Sequence, residues 1–140
     1  MSDAVFMLDT NMISDLIRNP EGFVQRKVEN VGVPAICVSS IVASELRFGY
    51  QKRGSDRLER LVEGMLRLVA VLPYDDKASF HYADIRQAVQ ARGKVIGPND
   101  LFIAAHARAL ALTLVTDNVR EFSRVDGLKI ENWLERTDHD

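Results

Sequence analysis

Residues 4–18 read Ala-Val-Phe-Met-Leu-Asp-Thr-Asn-Met-Ile-Ser-Asp-Leu-Ile-Arg, and this stretch decides the fold. Val5-Phe6-Met7-Leu8 has no polar position, so it predicts a short strand buried on both faces. Asp9-Thr10-Asn11 follows, a cluster of residue types that cap helix N-termini. Met12, Ile13, Leu16 and Ile17 then recur at helical spacing, so a helix begins where the strand stops. A doubly buried strand running straight into a helix is the opening of a parallel α/β unit.

The same pattern recurs along the chain. Ala35 to Val38 predicts a second strand, with Ser39-Ser40 capping a helix that runs to about Lys52 and closes at Gly54. Thr113-Leu114-Val115-Thr116 predicts another, ended by Asp117-Asn118. In between, Asn19-Pro20 reads as a second helix start, with Asn19 as N-cap, Pro20 at the first helical position and Phe23, Val24 and Val28 on the apolar side. Leu58, Leu61, Val62, Met65 and Leu66 fall on one helical stripe, and Leu68 to Leu72 turns β-like before Pro73. Asp75 to about Arg92 predicts a long amphipathic helix with Phe80, Ile85, Ala88 and Val89 inward, stopped by Gly93. Gly97-Pro98-Asn99-Asp100 leads into a helix from Leu101 to Leu110, and Leu128 to Ile130 reads as a last weak strand. The sum is an α/β chain, a three-layer α/β/α sandwich around a mainly parallel central sheet. It is expected to form one domain over 1–136 with a polar tail over 137–140.

Composition excludes several classes of function. Of 140 residues 46% are hydrophobic and 27% charged, which suits a packed core and rules out a disordered or fibrous chain. Cys37 is the one cysteine, so there is no internal disulfide, and its apolar surroundings predict a buried thiol. Eighteen Lys and Arg against 20 Asp and Glu give a net charge of −2, which is not the footprint of bulk electrostatic binding to nucleic acid. Two local basic segments remain, Arg47, Lys52, Arg53, Arg57 and Arg60, then Arg86, Arg92 and Lys94, each diluted by acids and readable as a solvated helix face. Ala4 to Leu8 is too short to span a membrane, and Ser2-Asp3 lack the positive charge of a signal peptide. The expectation is a soluble cytoplasmic protein without a membrane partner.

Four acids do not fit an ordinary surface. Asp9 and Asp117 each end an apolar strand, and in open parallel sheets the crevice at the carboxyl ends of strands is where ligands bind. Each is also readable as a plain N-cap. Glu45 has Ile41, Val42, Phe48 and Gly49 as helical neighbours, which places its carboxylate on an apolar face and calls for an ion pair, a shifted pKa or a bound cation. Asp100 sits in a first helical turn, favoured there by the helix dipole, yet it leans toward Ile103 and Ala104 on the packed side. Brought together, four carboxylates repel one another unless a hard divalent cation neutralises them, which points to Mg²⁺ with Mn²⁺ as substitute. His81, His106 and His139 have no zinc-ligand spacing. Carboxylates and metal without a protein nucleophile suit phosphodiester hydrolysis by metal-activated water.

At these residues the chain resembles the PIN domain family, and within it the VapC-type ribonuclease toxins of bacterial type II toxin–antitoxin pairs. Met7-Leu8-Asp9-Thr10-Asn11, Val38-Ser39-Ser40 through Glu45-Leu46 and Gly49, Gly97-Pro98-Asn99-Asp100 and Val115-Thr116-Asp117-Asn118 match the family's four motifs in order and context. The resemblance implies that Asp9, Glu45, Asp100 and Asp117 form the catalytic, metal-binding set. Thr10, Asn11, Ser39, Thr116 and Asn118 would be supporting groups. It further implies RNA cleavage, with a structured RNA such as a tRNA as substrate, and a cognate antitoxin whose segment fills the groove before RNA arrives. A homodimer or a larger toxin–antitoxin assembly, touching DNA only through the antitoxin, belongs to the same expectation. Arg47, Lys52, Arg53, Arg92 and Lys94 are the candidates to hold the RNA backbone.

Rival readings are weaker. A phosphatase forming an aspartyl-phosphate wants a second acid two residues after the nucleophile, and Asn11 stands there. Neither a P-loop nor a Gly-x-Gly-x-x-Gly run is present, and Ser39-Ser40 lack the glycines of a nucleophile elbow. A non-catalytic PIN-like module for protein binding would be expected to have lost acids that this chain keeps.

Overall fold

The computed structural model describes residues 3–134; the expected tail at 137–140 and the domain boundary at 136 lie outside them. Strand β1 (Phe6–Leu8) runs into α1 (Thr10–Arg18), followed by α2 (Phe23–Val31), a 3-10 turn at Val33–Ala35 and β2 (Ile36–Ser39). Helices α3 (Ser40–Arg53) and α4 (Asp56–Leu68) lead to β3 (Ala70–Leu72). Then come α5 (Asp76–Ala91), α6 (Pro98–Ala109), β4 (Thr113–Val115), α7 (Val119–Phe122) and β5 (Ile130–Glu131).

The sheet order is β3-β2-β1-β4-β5, and all four strand pairs are parallel. In β1, Phe6 lies opposite Ile36 on one side and Thr113 on the other, and Leu8 opposite Val115. Met7, Leu8, Cys37, Val38, Leu114 and Val115 are fully buried, as strands covered by helices on both faces must be. The chain builds outward from β1 through β2 to β3, then crosses to the other side for β4. That reversal opens a crevice beyond the carboxyl ends of β1 and β4, between Asp9 and Asp117.

Several boundaries differ from the sequence reading, each for a physical reason. Asn19 ends α1 rather than starting a helix: its N–H donates to Asp15 O at 2.7 Å and its amide to Asp15 Oδ1 at 2.7 Å. Pro20 therefore lies in a turn, and Gly22 is the N-cap of α2. Phe23 is partly exposed, with the Arg26 guanidinium 5.4 Å above its ring. Helix α6 starts at Pro98, where the missing N–H costs nothing. Pairing beside β4 starts at the Lys129 carbonyl, and β5 itself begins only at Ile130, after the left-handed turn at Gly127. Helix α5 packs against α6 along Ala78, Tyr82, Ile85 and Val89, so Ala88 faces out and Phe80 is 72% exposed instead of inward. Trp133 closes the β5 end of the core, edge-on to Phe6 at 5.0 Å.

Candidate active site

Asp9 is positioned first, because it is both the last residue of a buried strand run and the cap of a helix. Its N–H donates to Val115 O at 2.9 Å, its Oδ1 accepts from Thr10 N–H at 2.8 Å, and its Oδ2 accepts from Thr116 Oγ–H at 2.8 Å. One side chain therefore caps α1 while its carboxylate stands at the mouth of the crevice. Burial pushes the Asp9 carboxyl up, and the Glu45 and Asp117 charges add to it, while the Thr116 and Thr10 bonds pull the other way.

Glu45 enters from α3. Its Oε1 accepts from Thr10 Oγ–H at 2.6 Å and its Oε2 from the Asn99 amide at 3.3 Å, so α1 and the start of α6 both meet it. Among the described residues it makes no ion pair. Its neighbour Phe48 points to solvent, so the face around Glu45 is apolar on one side only.

Asp100 lies in the first turn of α6. Burial pushes its carboxyl up from an ordinary 3.8 to about 7, with the Asp9, Glu121 and Glu45 charges reinforcing the shift. Pairing with the Glu121 side chain also raises it, and the Asn118 amide donates to it at 3.4 Å. Asp117 accepts from the Asn11 amide at 3.0 Å and faces Asp9 electrostatically. The four acids singled out from sequence thus reach the one crevice, drawn from the ends of β1 and β4 and from α3 and α6.

Glu121, on α7, is a fifth acid that the sequence reading missed. Its Oε1 accepts from Gly97 N–H at 2.6 Å and its Oε2 from the Asn118 amide at 3.0 Å. Burial raises its pKa, but those bonds and the one from Asp100 outweigh burial and hold it below the usual glutamate value. It thereby ties the 97–100 turn to the end of β4. The available signal was Asn118-x-x-Glu121, the spacing of a capping box at the start of α7.

The supporting residues divide. Thr10, Asn11, Thr116 and Asn118 bond directly to the acids, and Asn118 N–H also donates to Thr116 Oγ at 3.0 Å. Ser39 departs from expectation: its buried hydroxyl caps α3 by accepting from Ile41 N–H at 3.0 Å and lies 2.8 Å from His106 Nδ1, with no carboxylate bonded to it. At the carboxyl end of β2 the hydroxyl turns under α6, where burial keeps His106 on the neutral side of its usual pKa. Of the basic candidates, Arg47 is held by Glu63 at 3.0 Å, and Arg92 bonds the Arg124 carbonyl and lies 3.8 Å from Asp126. Lys52 and Arg53 end α3, and Lys94 follows α5, all exposed.

The donor set is all carboxylate, hydroxyl and amide oxygen, the chemistry that a hard divalent cation prefers. Among the described residues no group of three or more Asp, Glu, His or Cys side chains is placed so that it could hold a metal ion. A cavity of about 200 Å³ adjoins the cluster between α1, α3 and α4, with Thr10 and Glu45 at one part and Leu46, Leu58 and Val62 at another. A concavity of about 840 Å³ around Arg18, Asn19 and Phe23 shares no residue with the cluster.

The PIN domain family model matches residues 6–128. The chain is 41% identical over 133 residues to Ribonuclease VapC2 of Haemophilus influenzae, covering 92% of this chain and 98% of that protein. It is 38% identical over 129 residues to the tRNA(fMet)-specific endonuclease VapC of Salmonella typhimurium, covering 91% and 97%. The crystal structure of VapBC2 from Rickettsia felis bound to a DNA fragment from their promoter contains a similar chain, at TM-score 0.84 and 33% identity, covering 91% of this chain and 98% of that one.

Proposed function

This chain belongs to the PIN domain family, and we propose that it is the ribonuclease toxin of a type II toxin–antitoxin pair, cutting RNA with Mg²⁺ or Mn²⁺ at the carboxylate cluster. The observation that carries the proposal is the meeting of Asp9, Glu45, Asp100 and Asp117 in one crevice, where burial, reinforced by the Asp9, Glu121 and Glu45 charges, pushes Asp100 up to about 7. Held by these side chains, the cation would activate water and offset charge on the leaving oxygen. Thr116 and the Thr10 backbone fix Asp9, Thr10 Oγ fixes Glu45, and Glu121 with Asn118 fixes Asp100. Each carboxylate is thus oriented before substrate arrives, which lowers the reorganisation needed in the transition state. Among the described residues Lys52, Arg53 and Lys94 make no ion pair and could meet the RNA backbone directly, whereas Arg47 and Arg92 must first leave Glu63 and Asp126.

The substrate class is RNA, with tRNA as the first candidate, as the name of the Salmonella relative says of that protein. The partner is an antitoxin, and DNA is reached through it, in assemblies of the kind solved for Rickettsia felis VapBC2; pairing of the toxin as a homodimer rests on the family resemblance alone. The 200 Å³ cavity, lined by Glu45, Arg18 and Arg53 at one part and apolar at Leu58 and Val62, suits an antitoxin segment with a charged and an aliphatic side chain. No helix among the described residues is long and apolar enough to cross a membrane.

The test is cleavage of initiator and bulk tRNA by partner-free protein in Mg²⁺, Mn²⁺ and EDTA, with Asp9→Asn as control. Cutting that needs the cation and vanishes in Asp9→Asn is expected. Equal cutting by the variant would overturn the reading.

A further inference from the structure

On the far side of the Asp100 turn lies a second cavity of about 280 Å³, enclosed by α5, the 92–97 loop and the start of α6. Its α5 wall is Tyr82, Arg86 and Val89, one helical stripe, and its floor is Ile96 and Leu101, both buried. The Tyr82 ring stacks on Phe102 at 4.7 Å with an interplanar angle of 19°. Arg86 donates to Tyr82 Oη at 2.9 Å and its guanidinium lies 5.9 Å from the Tyr82 ring centre. Tyr82, backed by Phe102, thus holds the planar Arg86 guanidinium in place, the kind of surface on which an unpaired base stacks.

Charge points the same way. Arg47, Arg92 and Arg108 each lie within ion-pair distance of an acid, but among the described residues Arg86 and Lys94 do not. Two unneutralised cations at one rim, on a chain of net charge −2, are complementary to a phosphate. Val95 stands at the same rim, 75% exposed, an apolar side chain left without cover. The volume is near the lower end of small-ligand pockets, which start at roughly 300 Å³, and so suits one nucleotide better than a folded element.

Position links the cavity to the carboxylates. Pro98 and Leu101 line it, and Asp100 lies in the same first turn of α6, about 100° around the helix axis from Leu101 and nearly opposite Pro98, so one helical turn separates the cavity from the carboxylates. We propose that this cavity is a nucleotide subsite, seating one unpaired nucleotide beside the scissile bond, its base on Arg86 and Val95 and its phosphate on Lys94. The proposal rests on the ribonuclease reading above. It gives the enzyme a way to select single-stranded positions in a structured RNA.

The experiment uses the full chain in three arms. Backbone amide NMR of Asp9→Asn protein titrated with AMP, GMP, CMP and UMP is expected to shift the amides of residues 94–96 at millimolar ligand. Binding of a labelled single-stranded RNA to Asp9→Asn protein is then compared with and without Arg86→Gln and Lys94→Gln. The double change is expected to weaken binding about tenfold at low salt and to reduce the salt slope by about 1.4, whereas Lys27→Gln leaves the slope unchanged. In cleavage, Arg86→Gln/Lys94→Gln in the otherwise native protein is expected to raise KM more than it lowers kcat. Unmoved 94–96 amides together with a slope equal to that of the Lys27→Gln control would overturn the subsite. So would a double variant that sediments as a smaller species than the native protein, because the cavity would then be an interface between copies. Native protein that binds mononucleotides here but cuts no RNA would instead refute the ribonuclease reading and leave the cavity's ligand class standing.

Discussion

Replacing Asp100 by Asn is expected to stabilise the cation-free protein while removing its chemistry. The folded carboxyl sits at about 7 against 3.8 for an ordinary aspartate, a gap of about 3 pH units. Above pH 7 that gap sets a ceiling of about 4 kcal/mol on the cost of keeping the charge in the crevice. Asp100 is only partly buried, its acidic neighbours relax, and the first-turn dipole favours a charge by about 0.3–1 kcal/mol, so the net gain is about 1–2 kcal/mol. The sign follows from proton binding: between pH 4 and 7 the folded chain holds a proton that the unfolded chain has released, so native stability falls as pH rises across this window. His106, with a lowered folded pKa, acts oppositely, losing stability as pH falls below about 6.5. The difference between variant and native protein cancels His106 and isolates Asp100. Asn keeps the shape, can donate to Glu121 and can accept from Asn118. Thermal unfolding in chelator should show the variant melting with the native protein near pH 4.5 and about 3–6 °C higher at pH 8. Mn²⁺ at 100 times its Kd should add about 2.7 kcal/mol to the native protein and less to the variant. A difference that is zero at pH 8, or the same at every pH, would refute the reasoning.

Other perturbations separate orientation from folding. Thr116→Val removes the buried donor to Asp9 Oδ2 and should lower kcat by roughly tenfold or more, about the worth of one charge-assisted hydrogen bond, with Thr116→Ser restoring most of it. Ser39→Ala uncaps α3 and strips His106 Nδ1 of its partner, and should cost about 1–3 kcal/mol of stability in urea unfolding. Glu121→Gln keeps an acceptor for Gly97 N–H but removes one charge facing Asp100, so the pH above which cleavage becomes efficient should move down in its pH–rate profile.

The sheet and the acid-bearing ends of β1 and β4 were readable because local and global signals agree there. Met7-Leu8 and Leu114-Val115 are apolar and fully buried, and an Asp follows each run, whereas Val5, expected inside the first strand, precedes β1 and is 51% exposed. Phe80 misled, since its hydrophobicity says nothing of which side of α5 meets α6; the packed stripe through Tyr82 and Val89 leaves it outside. Asn19 and Pro20 have the right types for a helix start, but Asp15 recruited Asn19 to end α1 instead. Ser39 was read correctly as a cap. Its second partner, His106, lies 67 residues away and no spacing announces it. Glu121 was hidden in a polar stretch whose role depends on α7 folding back over Gly97.

The central claim is that Asp9, Glu45, Asp100 and Asp117 hold the catalytic cation. It is tested most directly by anomalous diffraction from Mn²⁺-soaked crystals of the native protein and of Asp100→Asn. The account predicts a manganese peak in the crevice beside Asp9 and Asp100 that is weakened or lost in the variant. A clear crevice at saturating Mn²⁺, or a peak indifferent to Asp100, would contradict it.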